Sequence, residues 1–387
     1  MIVPDLQTRP CRDSRAPVRD DGYDPGAVGK RPSRKSSSRP FILGVGAAVV
    51  LCSAGFLLWR QTAGSPPRLR QQEFVYERAP FPSCHASTIV ESEGILVSAW
   101  FGGTAERNPD VGIWLARRET IGWTPPVEVA TGLQEDGSRL PCWNPVLSQP
   151  RQGPLLLFYK VGPSPSRWWG MLRRSSDGGR SWSEAQRLPD GILGPVKNKP
   201  LQLPDGALLC PSSSEDQGWQ VHMERTQDLG RTWSRTAPLN DGLEIAAIQP
   251  GLLRHPGRQL QAIGRSANRR LWESWSQDDG LTWSPLRLTS TANPNAGIDA
   301  LTLTDGRHLL VYNPGEAGRT PLVVSVSGDG EGWRQVLLLA DGPGEFSYPA
   351  IIQTADGLVH VTYTWNRSRI RHAVIDPGSL RQSPGAS

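Results

Sequence analysis

Polar and aromatic residues fall together where short apolar, strand-like runs of this chain begin. Tryptophan faces stack on sugar rings, asparagine and aspartate side chains bond sugar hydroxyls, and lysine favours an acidic sugar. This group therefore indicates carbohydrate binding, with core packing as the alternative for Trp168 and Trp169. Its members are Trp143, Asn144, Lys160, Trp168, Trp169, Lys197, Asn198, Lys199, Asn293, Asp299 and Asn313.

One motif, Ser/Thr-x-Asp-x-Gly-x-Ser/Thr-Trp, occurs four times, the last time in a shortened form. Its closing tryptophans, Trp182, Trp233, Trp283 and Trp333, are 51, 50 and 50 residues apart. The Asp accepts hydrogen bonds from backbone N–H groups of a turn, the Gly supplies a positive φ, and the Trp buries the turn. Four copies at one period cannot all serve one active site. We therefore expect structural hairpin turns at Asp177, Asp228, Asp278 and Asp329.

A second repeat predicts the architecture. Six glycines, each followed by an apolar strand-like run, recur at intervals of 49 to 59 residues: Gly94, Gly153, Gly206, Gly257, Gly306 and Gly357. Clusters of Gly, Pro, Asn and Asp between the runs are typical of β-turns, and no long segment outside the N-terminus has a helical period. Six units of about 50 residues predict an all-β fold, a six-bladed β-propeller over residues 76–380.

Three segments precede the predicted propeller. Residues 1–40 are basic and polar, which predicts a disordered tail, and residues 60–75 are interpreted as a linker. Residues 41–59 contain no charge and are long enough to span a bilayer as one transmembrane helix. Basic residues are more numerous before this segment than after it, so we expect a cytoplasmic N-terminus and a periplasmic or extracellular propeller. A cleaved signal peptide is the alternative, which the long cationic region and the Trp59-Arg60 end disfavour.

Composition narrows the choice of partners. The formal charge of +5 owes much to the tail, and no groove-reading motif is present, so nucleic-acid binding is not expected. No metal-ligand cluster and no Walker or Rossmann glycine pattern occurs, so we expect no cofactor. A disulfide between two of Cys84, Cys142 and Cys210 is possible outside the cytoplasm, but spacing cannot name the pair. We expect a monomer.

The repeated Asp motif resembles the Asp-boxes, or BNR repeats, of the sialidase (neuraminidase) superfamily, and the resemblance extends from about residue 80 to residue 376. The chain is most similar to the bacterial predicted-neuraminidase branch. The resemblance implies a sialidase-like propeller and a glycoside hydrolase. A sialidase binds the carboxylate of its sugar with three arginines and protonates the leaving group with an Asp. Its nucleophile is a Tyr polarised by a Glu.

Four residues match that site by their order in the chain. Arg265 and Arg319 resemble the second and third arginines, Tyr348 resembles the nucleophile, and Asp110 resembles the acid/base. The alternatives are solvated or blade-bridging arginines, a core tyrosine and an Asx-turn aspartate.

Two positions depart from the sialidase pattern. His85 stands near the place of the first arginine, and Gln249 stands near the place of the polarising Glu. A Gln cannot take a proton, whereas His85, with a reference pKa near neutrality, could act as a general acid or base. A satisfied buried histidine is the alternative. The candidates to replace the glutamate are Glu244, Glu215 and Glu345.

The sequence therefore predicts an exo-sialidase-type hydrolase that removes a terminal acidic sugar from a glycan. One alternative is another propeller glycosidase or a uronic-acid lyase centred on His85 and Tyr348. Another is a non-catalytic glycan-binding propeller. In the first hypothesis the substrate-binding residues beyond the two arginines are Lys160, Lys199, Asn144, Asn293, Asp299 and Gln249.

Overall fold

Twenty-five β-strands and one short 3-10 helix, Pro377–Leu380, form the regular structure of residues 68–380, which are the residues that this computed structural model describes. The strands make six antiparallel sheets, five with four strands and one with five. We call these sheets blades 1 to 6 in chain order.

The strands follow one another in a regular order. They are β1 (Leu69–Phe74); β2 (Ser83–Ser92), β3 (Ile95–Gly103), β4 (Gly112–Glu119), β5 (Gly122–Trp123) and β6 (Val127–Ala130) in blade 1; β7 (Cys142–Ser148), β8 (Leu155–Val161), β9 (Trp169–Ser175) and β10 (Gln186–Arg187) in blade 2; β11 (Leu201–Gln202), β12 (Leu208–Ser214), β13 (Gln220–Thr226) and β14 (Ser234–Arg235) in blade 3; β15 (Ala247–Arg254), β16 (Leu260–Ser266), β17 (Arg270–Ser276) and β18 (Arg287–Ala292) in blade 4; β19 (Asp299–Thr302), β20 (His308–Tyr312), β21 (Leu322–Ser327) and β22 (Arg334–Ala340) in blade 5; and β23 (Phe346–Gln353), β24 (Val359–Trp365) and β25 (Arg369–Ile375) in blade 6.

The blades pack against one another around a ring. β2 packs against β7 and β23, β12 against β15, and β19 against both β15 and β23. Between blades 5 and 6 the apolar core includes Leu309, Val324, Val361 and Tyr363, all with no exposed surface. A four-stranded blade cannot bury both of its faces alone, and stacking buries them. The six-bladed β-propeller predicted from the repeats is confirmed.

Each of the six repeated glycines ends the turn before the second strand of a blade. Their φ angles lie between 71° and 107°, a region that residues with a Cβ avoid. The apolar runs that follow are β3, β8, β12, β16, β20 and β24. The glycine repeat therefore located one strand of every blade correctly.

The four Asp motifs form turns after the third strands of blades 2 to 5. In blade 4, Asp278 Oδ1 accepts hydrogen bonds from Ser276 Oγ at 2.8 Å and from the Thr282 backbone N–H at 2.9 Å. Asp278 Oδ2 accepts one from Thr282 Oγ1 at 2.6 Å, and the Trp283 indole donates to the Gly280 carbonyl. The same bonding pattern holds Asp177 and Asp228, and most of it recurs in the shortened turn of Asp329.

Strand β1 closes the ring. It pairs with β25, from Gln71 opposite Val374 to Phe74 opposite Arg371, so an N-terminal strand completes a blade made by the C-terminal end. The propeller therefore begins at β1, inside residues 60–75 that the sequence suggested as a linker. Composition missed β1 because this outer edge strand is short and mostly polar, with no fully buried residue and no apolar run.

The predicted tail of residues 1–40 and the predicted spanning segment of residues 41–59 lie outside the described residues. Within residues 68–380, no helix is long and apolar enough to cross a membrane. Cys84, Cys142 and Cys210 are buried free thiols.

Replacing Asp278 with Ala should lower the free energy of unfolding by about 1–3 kcal/mol, because three hydrogen bonds of the turn lose their acceptor. Denaturant unfolding of the full chain would measure the change. The matched control is Asp190→Ala, since that aspartate is exposed and makes one long surface ion pair with Arg187; its effect should stay within about 0.5 kcal/mol. Equal stability of the two variants would contradict a structural role for the turn.

Candidate active site

One end of the ring carries the start of every first strand and the loops between second and third strands. Because successive strands are antiparallel, the glycine turns and the Asp turns lie at the opposite end. We call the first end the upper face. Its loops between second and third strands are residues 104–111, 162–168, 215–219, 267–269, 313–321 and 366–368.

Tyr348 lies near the start of β23, at a bulge in the pairing with β24. Its φ is 51°, a conformation that bulky residues rarely adopt. Similar bulges with positive φ occur at Ala86 in β2, Asn144 in β7 and Gln249 in β15. The bulge is thus a recurring property of the first strands, and the neighbours of Tyr348 distinguish it from the other positions.

Arg265 is the residue before the last in β16 and is 7% exposed. Its Nη2 donates to Tyr348 Oη at 2.9 Å, its Nε donates to Gln249 Oε1 at 3.1 Å, and its Nη1 donates to the Asn295 carbonyl at 2.8 Å. The guanidinium also lies over the Trp219 ring, 5.4 Å from its centroid. All of these partners are neutral. A buried cation without a carboxylate partner is costly, so an anion bound beside Arg265 would be stabilised.

Two more guanidinium groups lie close by and share one carboxylate. Arg319 Nη1 donates to Glu345 Oε1 at 2.7 Å, and Arg367 Nε donates to Glu345 Oε2 at 2.9 Å. Arg367 also pairs with Glu106, on the loop after β3. The Arg319 guanidinium lies 5.5 Å from the centroid of the Tyr348 ring. Two arginines, from blades 4 and 5, therefore contact the tyrosine, and a third from blade 6 joins them through Glu345, with two glutamates as counter-charges.

His85 packs against Tyr348, with 4.2 Å between the ring centroids, and is 3% exposed. Its Nδ1 is 3.1 Å from Thr364 Oγ1, while its Nε2 has no hydrogen-bond partner among the described residues. Burial lowers the pKa of His85 well below its ordinary value, and the charge of Arg367 lowers it further. The ring is therefore neutral at pH 7 and can accept or donate one proton beside the phenol, depending on its tautomer.

Lys197 supports the site from the axis of the ring. Its Nζ donates to Asn198 Oδ1 at 2.8 Å and to the backbone carbonyls of Ile298 and Pro349, so it joins blades 5 and 6 to the start of blade 3. Burial lowers the pKa of Lys197 to about 7. Pro349 follows Tyr348 directly, so this lysine fixes the backbone that carries the phenol.

Four residues predicted to bind substrate make contacts within the protein instead. Lys160 is fully buried, its Nζ donates to the Pro195 carbonyl at 2.8 Å, and burial lowers its pKa to about 7. Lys199 Nζ lies 2.9 Å from both carboxylate oxygens of Asp299. Asn293 is buried, donates to the Asn313 carbonyl and accepts a hydrogen bond from the Ala296 backbone N–H. These contacts depend on long-range packing, which residue type does not reveal.

The remaining predicted site residues differ in how closely they approach Arg265 and Tyr348. Gln249 contacts Arg265 directly, and Asn144 is buried at the bulge of β7. Asp110 is exposed, and hydrogen bonds from the side chain and the backbone N–H of Thr104 lower its pKa, so it is ionised at pH 7. Glu244 is exposed on the loop before β15 and does not contact Tyr348. Of the candidates to replace the missing Glu, Glu345 joins the arginine cluster.

Arg367, Glu106 and Trp219 were not identified from the sequence. Arg367 lies in Asn366-Arg-Ser, a stretch that also reads as a glycosylation acceptor pattern. Its backbone carbonyl accepts a hydrogen bond from the Cys84 N–H, which brings it to the start of β2 beside His85. The sequence could have identified Arg367 as a site residue by its place in the turn between β24 and β25, which lies on the upper face.

The arrangement is a cluster of three guanidinium groups and two carboxylates around a buried phenol and a neutral imidazole. It can bind an anion and carry out nucleophilic or acid–base chemistry at one oxygen. Within residues 68–380, no group of three or more His, Cys, Asp or Glu residues is placed to hold a metal ion.

Fold and repeat pattern together define a sialidase-like β-propeller. The BNR repeat-like domain family matches residues 94–361, which is more than half of the chain. The chain belongs to this family. No curated protein sequence matches it.

Solved structures share this fold at low sequence identity. A protein of unknown function from Dyadobacter fermentans is 18% identical with a TM-score of 0.67, and the match covers 80% of this chain and 98% of that one. A Hadza microbial sialidase is 18% identical with a TM-score of 0.65, with 77% and 66% covered. The NanB sialidase from Streptococcus pneumoniae is 12% identical with a TM-score of 0.65, with 81% and 71% covered. This chain therefore spans about two thirds of each of these two sialidases.

Replacing Glu345 with Gln should destabilise the protein at pH 7 by about 2 kcal/mol, because Arg319 and Arg367 lose a shared charged acceptor. Burial alone would raise the pKa of Glu345, but the Arg319 and Arg367 guanidinium groups and a hydrogen bond from Ser347 lower it below its ordinary value of 4.5. The carboxylate therefore stabilises the fold fully above about pH 4.5, and this contribution is lost as the pH falls below that value.

Denaturant unfolding at a series of pH values would test this. Stability of the Glu345→Gln variant should fall less steeply below pH 4.5 than that of the unmodified chain. The control is Glu119→Gln, since Glu119 is 43% exposed and lies 3.6 Å from Arg117. Parallel pH profiles for Glu345→Gln and the unmodified chain would contradict the assigned ion pairs.

Proposed function

We propose that this protein is a carbohydrate-active enzyme of the sialidase type that acts on a terminal acidic sugar. The observation that carries the proposal is Arg265, a buried guanidinium that donates to Tyr348 and whose partners are all neutral. A sugar carboxylate would supply the counter-charge that the chain itself does not.

The other two arginines complete the binding of that carboxylate. Arg319 and Arg367 are each already paired with Glu345, so they contribute less net charge than Arg265. A guanidinium presents several donors in one plane, and three of them around one carboxylate fix its orientation as well as its charge. The sugar is then held with its anomeric carbon towards the Tyr348 hydroxyl.

In the proposed hydrolysis, Tyr348 Oη forms a bond to the anomeric carbon while the bond to the leaving oxygen breaks. The phenol proton passes to His85, whose Nε2 has no other partner among the described residues. The leaving oxygen takes a proton from Asp110 on loop 104–111, which is ionised in the free protein and must first take up a proton from solvent. Water then hydrolyses the glycosyl-tyrosine and releases the sugar.

A lyase is the second candidate, because within residues 68–380 no carboxylate is hydrogen-bonded to Tyr348 and a neutral His85 packs on it. Here one of these two residues removes the proton beside the carboxylate of a uronic acid. The electron pair forms a carbon–carbon double bond as the glycosidic oxygen leaves with a proton. The arginines stabilise the negative charge that develops on the carboxylate.

We further propose that the reaction takes place outside the cytoplasm. This rests on the uncharged segment of residues 41–59 and on the excess of basic residues before it.

Replacing Tyr348 with Phe should lower kcat by about 1,000-fold or more, because the reacting oxygen is removed. Release of fluorophore from an aryl α-ketoside of sialic acid by the full chain would measure it. The matched control is Tyr363→Phe in the same blade, whose hydroxyl bonds Gln72 and the Leu339 carbonyl, away from the site. No release by the unmodified chain would rule out hydrolysis of this substrate.

An assay with uronic-acid polysaccharides as substrates distinguishes the lyase reaction from the hydrolase reaction. A lyase product absorbs in the near ultraviolet through its new double bond, whereas a hydrolase product does not. Tyr348→Phe and His85→Gln should each abolish that absorbance if the lyase mechanism holds. Absence of both products, together with binding of acidic sugars, would instead make the protein a glycan-binding propeller.

A further inference from the structure

Lys197 occupies in blade 3 the position that Tyr348 occupies in blade 6. Each lies nine residues before the glycine of the turn that leads to the second strand of its blade, Gly206 or Gly357. Both residues have a positive φ, 71° for the lysine and 51° for the tyrosine. The backbone geometry that places the phenol in the site therefore also places an amino group on the axis, where it bonds carbonyls of blades 5 and 6.

The Nζ atom of Lys197 has three acceptors around it. They are Asn198 Oδ1 at 2.8 Å and the backbone carbonyls of Ile298 and Pro349. A charged ammonium group has three N–H donors and no acceptor, so it can donate to all three. A neutral amine has two donors and a lone pair, and the lone pair would face one of the three acceptors. The surroundings of Lys197 therefore match its charged form.

Hydrogen bonds connect this lysine to Tyr348 by a second route. Asn198 Nδ2 donates to the Gln249 carbonyl at 3.0 Å. Gln249 Oε1 accepts from Arg265 Nε at 3.1 Å, and Arg265 Nη2 donates to Tyr348 Oη at 2.9 Å. The carbonyl of the residue after Tyr348 accepts from Lys197. These contacts form a closed circuit that fixes the phenol and the Arg265 guanidinium together, with Gln249 as a neutral connecting member.

Lysine is rare in this chain, and the described residues keep it away from the surface. The sequence has five lysines among 42 basic residues, and three of them lie within residues 68–380: Lys160, Lys197 and Lys199. The first two are buried and the third is half-buried. A buried lysine can lose its proton near neutral pH, whereas an arginine stays charged. Lys197 is therefore a cation that pH can remove, next to guanidinium groups that stay charged.

The charges around Lys197 leave both of its forms accessible near neutral pH. Burial is the main cause that lowers the pKa of Lys197 to about 7. The charges of Lys199 and Arg265 act in the same direction, and the Asp299 carboxylate opposes them. Asp299 itself accepts hydrogen bonds from Lys199 Nζ and from the Ile351 backbone N–H. When Lys197 loses its proton, one of its three hydrogen bonds is lost, and so is a positive charge near Arg265.

We propose that Lys197 is a positioning residue that couples its own protonation to the placement of Tyr348 and Arg265. In the ammonium form the circuit is complete, and the phenol and the guanidinium are held in the observed geometry. In the amine form the circuit opens, and the backbone after Tyr348 is no longer fixed from the axis. The consequence for turnover rests on the proposed function, whereas the placement of Tyr348 does not.

Nuclear magnetic resonance of the full chain tests the coupling without a substrate. Labelling the lysine Cε atoms gives at most five signals, and labelling the tyrosine rings with carbon-13 gives six sets of signals. Lys197→Met and Tyr348→Phe assign the two that matter. On titration from about pH 5 to about pH 9, the Tyr348 signal should move with the same midpoint as the Lys197 signal. A Tyr348 signal that stays constant while Lys197 titrates would overturn the proposal, as would a Lys197 that keeps one form throughout.

Lys160→Met is the matched control. Lys160 is also fully buried with a pKa lowered to about 7, but its Nζ donates to the Pro195 carbonyl, outside the circuit. The movement of the Tyr348 signal with pH should persist in Lys160→Met and disappear in Lys197→Met. Its persistence in a folded Lys197→Met variant would contradict the assigned role. If Lys197→Met does not fold, the titration of the unmodified chain decides by itself.

Turnover of the aryl α-ketoside of sialic acid gives a second readout. Above the Lys197 midpoint kcat should fall, towards a limit of about tenfold per pH unit. Lys197→Met should lower kcat about 10- to 100-fold at pH 6 and remove this dependence, because the phenol is misplaced at every pH. A shared midpoint of the Lys197 and Tyr348 signals without any turnover would leave the positioning role in place and remove the proposed function.

Discussion

The pairing of β1 with β25 is the interaction on which the candidate site depends. It completes blade 6 and closes a ring in which each blade buries the face of its neighbour. Tyr348 comes from blade 6, Arg265 from blade 4, Arg319 from blade 5 and His85 from blade 1. No single blade contains the arrangement, so it exists only when the ring is closed and the order of blades is fixed.

Within the closed ring, electrostatics separates two kinds of arginine. Arg319 and Arg367 are neutralised in part by Glu345 and Glu106, so their burial is compensated by the protein itself. Arg265 relies on a carbonyl, two amide oxygens and a phenol, which stabilise a cation less than a carboxylate does. The same positive surroundings, together with burial, keep His85 unprotonated. The site therefore combines a positive field with a neutral base, which suits an anionic substrate.

Sequence reasoning succeeded where structure is set locally. The six glycine turns and four Asp turns are fixed by positive φ and by hydrogen bonds within a few residues, so their spacing gave the blade count and the position of one strand in each blade. It failed for β1, whose mostly polar sequence contains no apolar run. It also placed Lys160 and Lys199 by residue type alone, although their burial and pairing depend on neighbouring blades.

Arg367 illustrates the same limit. It reaches His85 because its carbonyl binds the Cys84 N–H, a contact between residues at opposite ends of the propeller sequence. The sequence has no arginine at the position near Cys84 and His85 where a first sialidase arginine was expected. The Arg367 guanidinium, from the last blade, nevertheless lies close to this position. Ring closure allows the charge to come from either side of the junction between blades 6 and 1, so its absence from one strand does not imply its absence from the site.

The backbone strain at Tyr348 is not in itself evidence of catalysis. Ala86, Asn144 and Gln249 share its positive φ at bulges in their own first strands. The fold thus offers equivalent positions around the axis, where a bulge re-aims one side chain. What differs is the surroundings: Tyr348 alone combines a donor from Arg265, a second guanidinium over its ring and a histidine packed against it. The repeated architecture supplies the geometry, and residues from three other blades supply the chemistry.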